Sequence, residues 1–218
     1  MEFKCVLQFS VSSGFLNGFG YFSSIFFRIY SESRIMGKAL SKFILWLVGW
    51  KVEGGENLSI PKAIVAVVPH TSNWDFPLGI FSRMSVGKDI KFLAKKSLFH
   101  PLVGWFFRGL GGYPVDRSKS SNFVDSVVQL FNEKEHFLVS IAPEGTRKKV
   151  DRLKTGFYYM AKGANIPIVP TRINYKTRRL TFGKPLYPSD DIEADFKKMD
   201  AFFRQAVGKN PELGYLHE

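Results

Sequence analysis

The chain has one cysteine, Cys5, among 218 residues. A single thiol excludes a disulfide framework and a thiolate metal cluster within the chain. Histidine is also scarce: His70, His100, His136 and His217 show no ligand-like pairing. No metal and no cofactor are therefore expected. Zinc-finger spacing and the aromatic signature of RNA-binding sheets are missing, so nucleic acid is not the expected partner. No Gly-x-Ser-x-Gly elbow occurs, which disfavours a serine hydrolase. There is no internal repeat and no low-complexity linker, and the length suits one domain. Acid is short against base, 19 Asp and Glu facing 31 Lys and Arg, for a formal charge of +12.

Two things are abundant. Phenylalanine occurs 22 times, which fits a deep core, a membrane interface, or both. Base is concentrated: between Pro143 and Lys184 stand 11 Lys or Arg and 2 acids, which is +9 of the total. Such a surface suits an anionic partner, here an anionic membrane surface. A basic face that is merely solvated is the plainer alternative.

Residues 1–35 form an N-terminal extension. Its stretch Phe9 to Phe27 is uncharged and about long enough to cross a bilayer, yet it holds five serines, three glycines and an asparagine. The extension reads as non-native sequence upstream of a start at Met36, with a weak span or a poor signal sequence as alternatives. Residues 36–55 form a second unit. Its core, KALSKFILWLVGW, is too short to span, and Trp46 and Trp50 lie four apart on one helical face. It reads as an amphipathic helix lying in the headgroup layer or, equally, as a helix packed on the protein's own core.

Residues 56–218 alternate strand and helix. Strands are predicted at Ala63–Val68, Ile90–Ala94, Tyr113–Val115, Phe137–Ala142, Ile166–Ile173 and Leu180–Phe182. Helices are predicted at Phe76–Ser85, Leu98–Leu110, Asn122–Asn132, Thr155–Ala164 and Ile192–Val207. The implied fold class is α/β, a single mixed sheet flanked by helices behind an interfacial helix. Polar clusters fall at predicted strand ends: His70 to Asp75, Asp116-Arg117, Glu144 to Arg147, and Pro170 to Arg172. Strand ends are where sites form in such sheets.

In PHTSNWD, four residues separate His70 from Asp75. A turn into a helix there lets the carboxylate hold one imidazole nitrogen and leaves the other free to take a proton. The bland alternative is a histidine that caps a turn. In APEGTRK, Gly145 lets the backbone approach a ligand, while Thr146 and Arg147 offer hydroxyl and guanidinium donors suited to phosphate. Glu144 orients Arg147 or bonds a hydroxyl. A turn leading into a basic loop is the alternative.

Four segments stand in order: HTSNWD, GGYPVDR, PEGTR and IPIVPTRI. In this the chain resembles the bacterial 1-acyl-glycerol-3-phosphate acyltransferases of the glycerolipid acyltransferase family, over roughly Met36 to Pro188. The resemblance implies His70 as general base and Asp75 as its orienter. It implies Arg117 and Arg147 on the acceptor's phosphate, with Glu144, Gly145 and Thr146 shaping that pocket. Pro167 and Pro170 belong to the fourth motif. Lys95 of FLAKKSLF is placed near the phosphate or the developing oxyanion, with Lys96 as the less favoured register. Tyr113, Val115, Thr171 and Arg172 depart from common versions of the motifs, which bears on acceptor identity.

The implied reaction moves an acyl chain from acyl-CoA or acyl-ACP to the free hydroxyl of a lysophospholipid acceptor, 1-acyl-glycerol 3-phosphate, giving phosphatidate, at the cytoplasmic face of a bacterial inner membrane, the protein peripheral or monotopic there. The alternatives are another lysophospholipid or an amino-lipid as acceptor, a lipid hydrolase, or a lipid-binding protein without catalysis.

Overall fold

The computed structural model describes residues 36–100, 104–115 and 123–215. The N-terminal extension and Arg117 lie outside these. Helix α1 spans 36–47, slightly ahead of the expected segment. Then follow β1 (Lys51–Glu53), β2 (Lys62–Val68), α2 (Asp75–Val86), β3 (Ile90–Lys95), α3 (Gly104–Gly109) and β4 (Gly112–Val115). The chain continues as α4 (Phe123–Glu133), β5 (Phe137–Ile141), α5 (Gly156–Gly163), β6 (Ile168–Asn174), β7 (Arg179–Phe182) and α6 (Ile192–Phe203).

The strands make one seven-stranded mixed sheet in the order β1-β7-β6-β2-β5-β3-β4. All pairings are parallel except β6 with β7. The central strand β2 reads KAIVAVV, β-branched and apolar without alternation, because helices cover both faces of it. On one face α4, α5 and α6 bury Val127, Phe131, Phe157, Met199 and Phe203 against Ile64, Ala66 and Val139. On the other, α1 and α2 bring Leu45 and Leu78 onto Val65, Val169, Ile173 and Leu180.

The structure differs from expectation in two elements. The helix expected over Leu98–Leu110 is broken into a 3₁₀ turn, Lys96–Phe99, and α3. Pro101 disfavours helical backbone before it. The break also brings Gly104 against the Phe99 backbone, where a β-carbon would sit 2.7 Å from the Phe99 carbonyl oxygen. Strand β1 was not expected. Three residues carry too little periodicity to read, and β7 supplies the pairing that makes them a strand.

Candidate active site

Parallel strands deliver their C-terminal ends to one edge of the sheet. The loop after β2 carries His70, the loop after β5 carries Glu144 to Arg147, and the turn after β6 carries Tyr175. Lys95 ends β3 on the same edge, and its side chain lies outside what the structure describes.

Asp75 is the first residue of α2, where the helix N-terminus favours a negative charge. Its carboxylate organises the loop. Oδ2 accepts the Thr71 and Ser72 N–H groups, each at 2.9 Å, and lies 3.2 Å from His70 Nδ1. Oδ1 accepts the Tyr175 hydroxyl at 2.7 Å. Burial works to raise the Asp75 carboxyl, but hydrogen bonds from His70, Tyr175 and the Ser72 N–H outweigh it and hold the group below its ordinary value. Asp75 is therefore an anion that fixes the imidazole with Nδ1 inward. The His70 side chain keeps 31% of its surface, against 4% for Asp75. The imidazole is thus partly open and lines the groove described below.

The third motif is joined to the first at two points. Glu144 Oε2 accepts the His70 backbone N–H at 2.5 Å. The Arg147 guanidinium donates to the Asn73 side-chain oxygen. Glu144 is almost fully buried, and burial raises its carboxyl above the ordinary value, with the Asp75 charge adding to this. Its place is a strut under the His70 loop, with Oε2 hydrogen-bonded to that loop. Gly145 has a φ of +65°, and a β-carbon there would sit 2.7 Å from the Lys154 amine. A side chain at that position is strained by the backbone conformation, and the flexible end of Lys154 would have to move aside for it. Thr146 caps its own turn, its hydroxyl accepting the Lys148 N–H at 3.2 Å. Pro170 is buried in β6 and packs against Gly183, while its neighbour Thr171 reaches the groove described next.

A groove of 740 Å³ opens beside His70 and Asp75. Val65, Val67, Phe76, Ile80, Phe92 and Ile173 make apolar wall, and Gly145 and Lys154 stand in its lining as well. The lining thus combines His70, Asp75, Arg83 and Lys154 with a mainly apolar wall.

Sequence reasoning missed two contributors. Tyr175 lies 100 residues from Asp75, and only its position just past the fourth motif hinted at it. Asn210 donates to the Thr71 carbonyl at 3.0 Å, so a C-terminal strap braces the HTSNWD loop from behind. Nothing in the local sequence signals that contact. Among the described residues, no group of three or more His, Cys, Asp and Glu side chains is arranged to hold a metal ion.

Known proteins share this arrangement of chain. The family model described as Acyltransferase matches residues 49–174. A 1-acyl-sn-glycerol-3-phosphate acyltransferase of Streptococcus pneumoniae is 27% identical over 178 residues, covering 75% of this chain and 64% of that protein. The one of Saccharomyces cerevisiae is 36% identical over 134 residues, covering 57% and 42%. The chloroplast one of Arabidopsis thaliana is 33% identical over 124 residues, covering 55% and 34%. The chain therefore spans about a third to two thirds of the length of these relatives. The crystal structure of the 1-acyl-sn-glycerophosphate acyltransferase from Thermotoga maritima superposes with a TM-score of 0.57 at 24% identity, over 87% of this chain and 86% of that one, and so shares the fold. The family match takes in more than half of the chain, and with it the His70 and Glu144 loops, so this protein belongs to the Acyltransferase family.

Proposed function

We propose that the protein transfers a fatty acyl chain from a thioester to the free hydroxyl of 1-acyl-glycerol 3-phosphate, giving phosphatidate. The observation that carries this reading is the groove. An imidazole backed by a buried carboxylate lines an apolar trough together with Lys154, and Arg147 bonds Asn73 of the imidazole's own loop. The acceptor's phosphate lies against Arg147, with Arg117 and Lys95 as further cations. The acyl chain lies in the groove. His70 takes the hydroxyl proton as the acceptor oxygen attacks the thioester carbonyl. The tetrahedral oxyanion collapses, the C–S bond breaks, and the thiol leaves with the proton. Holding the phosphate supplies orientation, which lowers the barrier without further chemistry.

The reading extends to membrane seating. Helix α1 turns Leu45 and Ser41 to the core and leaves Met36, Leu40, Phe43, Trp46 and Leu47 between 56% and 72% exposed. A helix whose solvent side is its apolar side suits a bilayer surface. Among the described residues, no helix is long and apolar enough to cross a membrane. Residues 36–55 are thus read as the interfacial unit and 56–218 as the catalytic one. A bacterial inner membrane, cytoplasmic face, is the proposed location.

The test offers purified protein a panel of lyso-lipids and amino-lipids with acyl-CoA and acyl carrier protein donors, the products read by mass spectrometry. Phosphatidate from lysophosphatidate is expected, and His70→Ala abolishes it while circular dichroism stays native. Near-normal turnover in that variant removes the mechanism. Free acid as the product means a hydrolase, and vesicle binding with no transfer means a lipid-binding protein.

A further inference from the structure

The foot of α1 is fastened to the turn after β6. Two backbone bonds close the helix: Gly49 N–H donates to the Trp46 carbonyl at 2.9 Å and Trp50 N–H to the Leu45 carbonyl at 2.7 Å. This is a Schellman closure, with Gly49 at φ +73° supplying the left-handed residue. Trp50 therefore leaves the helix in a fixed direction. Its ring meets Tyr175 edge-on, centroids 4.9 Å apart at 86°. The same two segments are tied by Lys51 N–H to the Arg178 carbonyl, 2.9 Å, and by the Arg178 guanidinium to the Val48 carbonyl, 3.2 Å. From the opposite side, Tyr175 N–H donates to the Val207 carbonyl at 2.8 Å. With ring and backbone both held, the Tyr175 hydroxyl reaches Asp75 Oδ1.

We propose that Tyr175 is a positioning residue for the His70–Asp75 pair and that Trp50 couples it to the seating of α1. The proposal rests on the reading of that pair as the base for acyl transfer. The physical case is one of division of labour on a single carboxylate. Oδ2 already serves His70 and two backbone N–H groups. A donor on Oδ1 stops the carboxylate from rotating about its last bond, so Oδ2 stays aimed at Nδ1. Removing that donor leaves Oδ1 buried and under-served, which costs more than the bond itself is worth. The chain of contacts from the exposed apolar face of α1 to the imidazole is then Trp50, Tyr175, Asp75, His70, each touching the next.

The phenol also spreads the carboxylate's charge. The charged and titratable groups around Asp75 are His70 on its own loop, Glu144 after β5, and Tyr175 after β6. Farther out stand Arg147 on Asn73, Lys154 over Gly145, and Lys209 of the C-terminal strap over the Trp74 ring. The active form needs Asp75 ionised. Loss of the phenol removes one of the hydrogen bonds that hold the carboxyl down, so Asp75 becomes harder to ionise. That pushes the acid limb of the rate profile to higher pH.

The full chain is assayed on phosphatidylglycerol vesicles with 1-acyl-glycerol 3-phosphate and whichever acyl thioester supports turnover. Tyr175→Phe is expected to lower kcat about tenfold, leave the acceptor KM unchanged, and move the acid limb upward. Trp50→Leu lowers kcat about threefold on its own and adds nothing in the Tyr175→Phe background. A wild-type kcat and pH profile in Tyr175→Phe would overturn the positioning role. Full additivity of the two substitutions overturns the coupling. His70→Ala is the control, because turnover retained there removes the reading of the dyad whatever Tyr175 does.

Discussion

Glu144 and Arg147 sit three residues apart in one motif and do different work. Glu144 is buried, and one of its carboxylate oxygens serves the His70 backbone N–H. Arg147 is exposed and bonds the rim of the same loop through Asn73. A buried carboxylate whose proton affinity is raised by burial contributes less stability as pH climbs through that raised value. Glu144→Gln keeps an oxygen for the His70 N–H and removes the buried charge. It is expected to match or exceed wild-type stability at neutral pH, while Glu144→Ala orphans the N–H and costs about 1–3 kcal/mol. Urea denaturation separates the two, and equal losses would show that the hydrogen bond is not what Glu144 supplies. For Arg147→Ala the expected defect is in acceptor binding, a KM rise of about tenfold or more, since one charge-assisted contact is worth about 1.5–3 kcal/mol. A defect confined to the donor's KM would speak against a phosphate role.

At the scale of elements, α1 is the anomaly. Its buried stripe is narrow, Ser41 and Leu45, and its outer face is the apolar one. Replacing Leu40, Phe43 and Trp46 together with serine removes little from the core, so the melting temperature should barely move. Binding to phosphatidylglycerol vesicles should fall by more than about tenfold, given roughly 1.5–3 kcal/mol for each large apolar side chain fully buried. Sedimentation with vesicles reads this directly, and unchanged binding would assign the membrane contact elsewhere. Helix α6 shows the opposite economy. Asp195 is buried inside it, accepting the Ser189 N–H at 2.6 Å, the Tyr158 hydroxyl at 3.0 Å and the Lys198 amine at 3.1 Å. These bonds tie α6 to α5 and to the chain entering it.

For the whole molecule, that carboxylate sets part of the acid stability. Burial opposes ionisation of Asp195, but its hydrogen bonds from Ser189, Lys198 and Tyr158 win and carry it down to about 2. A depressed folded value means a contribution that is whole above the unfolded value of about 4 and is lost as pH falls toward the folded one. Asp75 acts in the same direction. Thermal midpoints should therefore drop below about pH 4, and Asp195→Asn should flatten that drop while lowering the midpoint at neutral pH. An unaltered pH slope in the variant would place the acid sensitivity in other carboxylates.

Much of this molecule was legible in its residues. The wholly apolar run at 63–68 and the mostly apolar ones at 90–94 and 137–142 marked strands, because a strand covered on both faces shows little polar side. The pairing of His70 with Asp75 was legible because five residues of chain suffice to turn one side chain onto the other. That the Arg147 and HTSNWD loops share one site was expected from the ordered motifs and from their places at predicted strand ends, while the bond to Asn73 was not. The chain alone did not decide how the loops meet. Strand β1 exists through β7, the helix after β3 is split by Pro101 and a close backbone approach, and Tyr175, Asn210 and Trp50 reach the site across spans of 100 residues and more. Such contacts leave no periodicity behind. They arise because parallel strands gather their ends at one edge, which the order of strands in the sheet decides and no local stretch encodes.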